Sequence, residues 1–116
     1  MNPTLSTAPG HHLRSASGLQ ARLFADGGVQ RLDCHGVMLN LFVGNALEGG
    51  PTNLWLRRVD GAAVTAVPLL GPMSPLRGPP TAPGACAYTA QGHWQGIDVC
   101  LQLRLAAAAA AWFWRA

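Results

Sequence analysis

Charge is what this sequence has least of. Only 11 % of its 116 residues are Asp, Glu, Lys or Arg, against roughly a quarter in an ordinary soluble domain. There is no lysine, and a single glutamate, Glu48. Alanine and glycine are abundant and arginine stands in for lysine throughout, as in proteins of GC-rich genomes, so small biases in composition carry little weight. A surface so thin in charge would be poorly solvated on a free monomer. The expectation is that another domain or another chain covers part of it.

Other absences exclude function classes in turn. The formal net charge is only +3, and the arginines are scattered from Arg14 to Arg115 with no basic run, which argues against a phosphate-tracking nucleic-acid surface. No CxxC spacing links Cys34, Cys86 and Cys100. An odd set of thiols with no export signal reads as reduced, buried cysteines in a cytoplasmic protein. The N-terminal residues contain no apolar h-region. The closing "LAAAAAAWFW" falls short of the roughly 18 to 20 apolar residues a membrane-spanning helix needs. No glycine-rich phosphate loop precedes a helix, which removes nucleotide binding.

What is there is a β pattern. Residues 1–17 are rich in Pro, Ser, Thr, Gly and His without a period and read as a disordered leader. From Leu19 the chain alternates: "LQARLFA", a "DGG" hairpin signal, "VQRLD", then "GVMLNLFVGN". "NLWLRRV" runs through Asp60-Gly61 into "AAVTAVPLL". The proline-dense 71–85 reads as a loop or extended crossing. "CAYTAQ" and "WQGIDVCLQLRL" are expected to flank a turn at Gly92-His93. From Ile97 to Leu105 apolar and polar residues alternate strictly, the mark of a half-buried strand. The six alanines 106–111 give under two helical turns without an N-cap, and a loop between strands is expected there. Hydrophobic residues make up 49 %, enough for one core. Seven or eight short strands with turn signals every 8 to 12 residues predict an all-β fold, an antiparallel β-sandwich over residues 18–116. Trp112, Phe113 and Trp114 close the chain in strand-like sequence, which suggests an incomplete domain.

Catalytic chemistry is hard to assemble from these residues. A glycosidase-type pair needs two carboxyl groups roughly 5 to 9.5 Å apart. Asp26 and Asp60 are committed to turns, Asp33 and Asp98 sit on polar strand faces, and Glu48 has no evident partner. For metal, His11, His12, His35 and His93 show no ligand spacing, and Cys34 and His35 point to opposite strand faces. Trp55 and Trp94 can form a sugar platform, although tryptophans of a small sandwich are more often core or interdomain contacts. Arg57 and Arg58 are adjacent on a strand, so only one can face a given partner. Taken alone, the residues describe a non-catalytic sandwich with an interaction or accessory role.

The order of "GVQRLDCHGVMLNLF", "LEGGPTNLWLRR", "AVPLLGPMSP", "GHWQGIDVCLQLRL" and "AWFW" resembles the N-terminal β-sandwich of glycoside hydrolase family 94. The likeness is nearest to 1,2-β-oligoglucan phosphorylases and the phosphorylase part of cyclic β-1,2-glucan synthases, and it covers residues 18–116. The resemblance implies a parent enzyme that splits a β-glucosidic bond with inorganic phosphate as substrate and inverts configuration. Its catalytic and phosphate-binding residues would lie on an (α/α)₆ barrel beyond this chain, so no catalytic residue and no cofactor are expected here. It further implies a homodimer with the sandwich in the interface. Glu48 and Asn53 would then reach β-glucan hydroxyls or the barrel, Arg57 and Trp94 would add contacts, and Trp55 would anchor the loop from the core. A stand-alone carbohydrate-binding module and an unrelated interaction sandwich are the alternatives.

Overall fold

The computed structural model describes residues 10–40, 43–47 and 52–116. The strands among them are β1 (His11–Arg14), β2 (Leu19–Leu23), β3 (Val29–Cys34), β4 (Val37–Met38), β5 (Trp55–Asp60), β6 (Ala63–Pro68), β7 (Ala87–Trp94), β8 (Ile97–Leu105) and β9 (Trp112–Arg115). All pairings are antiparallel. They form a four-stranded sheet β1-β2-β3-β4, a two-stranded sheet β5-β6 and a three-stranded sheet β7-β8-β9.

The alternation in sequence decides which faces meet. Leu13, Leu19, Ala21, Leu23, Val29 and Leu32 line the inner face of the first sheet, and Tyr88, Ala90, Leu101, Leu103 and Leu105 that of the third. Both sets belong to one buried cluster, which Leu69, Leu70 and Leu76 complete from the segment that crosses between β6 and β7. Two antiparallel sheets around a shared core make the expected β-sandwich.

Turn chemistry sets the registers. Three connections are two-residue hairpin loops. His35-Gly36 and Gln95-Gly96 have positive φ at both positions (51° and 81°, 48° and 80°), the type I′ geometry whose twist suits paired strands. At Gly61-Ala62 only the glycine is positive, at 60°, as in type II′. In the β2–β3 turn, Oδ1 of Asp26 accepts from the Gly28 amide at 2.9 Å.

Four expectations are corrected. Residues 11–14 are not a disordered leader but β1, whose alternating His11 and Leu13 are buried against the core. Nδ1 of His11 is hydrogen-bonded to the Thr81 hydroxyl, Nε2 lies 3.4 Å from the Ala25 carbonyl oxygen, and the ring packs on Tyr88 with centroids 4.4 Å apart. Since a carbonyl can only accept, Nε2 carries a proton, and in the neutral ring Nδ1 accepts from the Thr81 hydroxyl. Burial pushes the His11 pKa below its ordinary value, against a smaller opposing effect of the Ala25 carbonyl. The Arg14 amide also donates to Ala85 at 2.9 Å, so β1 ties the first sheet to the segment entering β7.

Second, Gly92-His93 is not a turn. β7 runs straight through it and the chain reverses at Gln95-Gly96. Gly92 is there for close approach: a Cβ would stand 2.4 Å from the Pro75 carbonyl oxygen, where the proline-rich crossing lies over the strand. Third, the thiols are free but not all buried, for Cys86 and Cys100 are exposed. Cys100 occupies the outward-facing parity of β8. Fourth, among the described residues of the "GVMLNLFVGN" segment the strand is confined to Val37–Met38, and beyond it Asn40 turns its Oδ1 onto the Leu32 amide at 2.8 Å, in the place of a ladder bond. The alanine run is a loop, as expected, closed by the Ala106 amide on the Ala111 carbonyl at 2.8 Å.

Candidate functional site

The β5–β6 hairpin stands apart from both large sheets, and its two faces differ. Register pairs Leu56 with Val67 and Arg58 with Thr65 on one face. Leu56 packs on the core. Arg58 donates from Nη1 to the Gln95 carbonyl at 2.7 Å, and Thr65 donates to Gln95 Oε1 at 3.1 Å. This face therefore leans on the β7–β8 turn. The other face pairs Trp55 with Pro68, Arg57 with Ala66 and Val59 with Val64. There the side chains of Trp55, Val59 and Val64 are 62 %, 65 % and 51 % exposed, and Arg57 is exposed among them.

The root of the hairpin is held by Asn53. Its Nδ2 donates to the Leu70 carbonyl at 3.0 Å, while Oδ1 accepts from the Leu54 amide at 2.8 Å and the Leu70 amide at 3.1 Å. These bonds mimic a ladder rung between the two ends of the hairpin. The side chain expected to reach toward sugar is thus engaged with backbone. Trp55 is not in the core as expected. Its parity places it on the outer face, and the apolar anchors of the segment are Leu54 and Leu56. Trp94 is half-buried at the end of β7, opposite Ile97. Glu48 lies outside the described residues.

A tryptophan, two valines and a lone arginine on one open face have the composition of a protein-binding surface: apolar area, one rigid aromatic and one directional cation. The residues are neighbours by register and need no rearrangement to act together. The described aspartates have local tasks. Asp26 caps its turn, Asp33 makes an ion pair with Arg31 at 3.0 Å, Asp60 ends β5, and Asp98 accepts from His93 Nδ1 at 2.8 Å. Among the described residues no group of three or more His, Cys, Asp or Glu is placed to hold a metal ion.

Residues 22–116 match the family described as the SOGP N-terminal domain. The chain belongs to that family. No curated protein matches it. The part of this SOGP N-terminal domain outside the match includes β1, which nevertheless contributes His11 and Leu13 to the core. Both strands of the exposed hairpin lie inside the match.

The outer face of its third sheet is a second feature, one that sequence reasoning missed. Register groups Gln91 with Cys100 and His93 with Asp98, and puts Gln102 between Thr89 and Arg115. Shallow depressions of about 590 Å³ and 350 Å³ lie along it. The strict alternation of β8 was the available signal, since it predicts Asp98, Cys100, Gln102 and Arg104 on one side. No helix of the described structure is long and apolar enough to cross a membrane.

Proposed function

We propose that this chain is the non-catalytic N-terminal sandwich of a larger carbohydrate-active enzyme, an inverting glycoside phosphorylase acting on β-1,2-linked gluco-oligosaccharides. Its task is docking: the Trp55–Arg57–Val59 face seats against the (α/α)₆ barrel of the parent or against the neighbouring subunit of a homodimer. The observation that carries this reading is the outer face of the hairpin, an apolar stripe left open on a surface with few charges to solvate it. Membership in an N-terminal domain family supports a position ahead of other domains, and the order of motifs supports the phosphorylase assignment. A cytoplasmic setting accords with three free thiols, two of them exposed.

The test is the intact mass of the native product, followed by assay of that product with inorganic phosphate and β-1,2-gluco-oligosaccharides. A mass far above 12.2 kDa with release of glucose 1-phosphate supports the proposal. A product near 12.2 kDa without activity contradicts it.

A stand-alone carbohydrate-binding module is the second reading, favoured by the amides and the His93–Asp98 pair along the outer face of the third sheet. It predicts that a β-glucan column retains the 116-residue chain and that Gln91→Ala with Gln102→Ala abolishes retention. Passage of the unaltered chain without delay would remove this reading.

A further inference from the structure

Arginines far apart in sequence meet on the outer face of the first sheet. Register sets His12 opposite Arg22 and Arg22 opposite Arg31, a basic row across β1, β2 and β3. The next row is Arg14, Gln20 and Asp33. Like charges directly opposite one another destabilise a sheet, so the Arg22–Arg31 pairing works against folding except as far as Asp33 offsets the charge of Arg31. Asp33 is the only acid in these rows, and it is engaged by Nε of Arg31 at 3.0 Å. Among the described residues neither Arg14 nor Arg22 has a carboxylate partner. One acid against three arginines leaves this face carrying most of the chain's formal +3.

Two further details give the row a shape. The register shifts between Arg22 and Leu23, so that Gln30 is an extra residue in β3, a bulge of the kind that re-aims side chains. Gln30 and Arg31 accordingly both line one depression with Gln20, Arg22 and Asp33, of about 470 Å³. Gln20 is oriented as well, for its Oε1 accepts from His12 Nε2 at 2.9 Å, which leaves its NH₂ group as a donor. A hollow with two arginines and an oriented amide donor offers what an oxyanion accepts, and its volume is that of a small-molecule site.

We infer that the depression over β2 and β3 binds an oxyanion, the phosphate or carboxylate group of a small polar molecule, with Arg22 and Arg31 as its charged ligands and Gln20 and Gln30 as amide donors. This site is independent of the docking face, which lies on a different sheet.

The test is amide chemical-shift titration of the full 116-residue chain with inorganic phosphate and, separately, citrate, against sodium chloride at matched ionic strength. Saturable shifts at Gln20, Arg22, Gln30 and Arg31 with phosphate or citrate, absent with chloride, are expected, and the arm with the tighter midpoint identifies the group. Arg22→Gln should weaken binding about tenfold or more, the loss that follows removal of one charge-assisted contact. It should also leave the melting temperature unchanged or raised, because it removes the like-charge opposition. Arg14→Gln, on an exposed side chain of the same face outside the lining of the depression, serves as the control and should weaken binding far less. Equal shifts with chloride, undiminished binding by Arg22→Gln, or an equal loss in both variants would overturn the inference. So would a response to a short oligonucleotide and not to phosphate or citrate, which would mark a nucleic-acid surface instead.

Discussion

A methyl group on Gly92 would stand 2.4 Å from the Pro75 carbonyl oxygen, and neither backbone can move without parting the crossing from β7. Gly92→Ala should therefore cost about 2 kcal/mol or more, in the range of overpacked interiors. Gly36 is the contrast. A Cβ there meets nothing within 4 Å, but φ is +81°, so Gly36→Ala should cost only about 1 kcal/mol of backbone strain. Urea denaturation of the two variants checks the ranking. His11 is the other residue whose setting has a measurable consequence. Its folded pKa is lowered by burial, so between that value and the unfolded 6.5 the unfolded chain binds the extra proton. Stability is then fully present above about pH 6.5 and declines as the pH falls through the window below it. Thermal melts at pH 7.5 and 5.5 should show a drop for the native chain and a smaller one for His11→Phe; identical drops would place the effect elsewhere.

At the scale of elements the hairpin joins two requirements, a fixed root and an open face. Removing the open face should not harm folding. Trp55→Ala and Arg57→Ala should each leave the melting temperature of the isolated chain within a few degrees, while the proposed docking predicts a loss of about 2 kcal/mol, roughly thirtyfold, in binding to its partner for central contacts. Asn53→Ala should do the reverse and loosen the root, seen as faster amide exchange at Leu54 and Leu70. Much of this element was legible in the sequence. Asp60-Gly61 announces the reversal, and alternation gives two faces. Which face is buried was not legible, because Trp55 and Leu56 are both apolar and only the packing of Leu56 on a distant core decides. Gly92-His93 and Gln95-Gly96 look alike as turn signals, and the difference is the contact with Pro75, remote in sequence. The same limit hid the basic row. Its members are brought together by strand pairing, so a linear scan reports scattered arginines.

The whole molecule is a sandwich with an appendage. Its radius of gyration is 15.0 Å, above the roughly 13 Å expected of a compact domain of this length. Stability resides in the inner faces, where Leu103 is fully buried between the sheets. Leu103→Ala should cost about 2 to 5 kcal/mol by calorimetry, an effect that Val59→Ala on the exposed face should not approach. That contrast separates the part that folds the domain from the part proposed to bind. The most direct measurement is hydroxyl-radical footprinting of Trp55, comparing the isolated 116-residue chain with the native assembly from its own cells. Docking through the hairpin predicts strong oxidation of Trp55 in the isolated chain and marked protection in the assembly, with Phe113 as an exposed internal reference. Equal oxidation of Trp55 in both would mean that this face is not the one the partner covers.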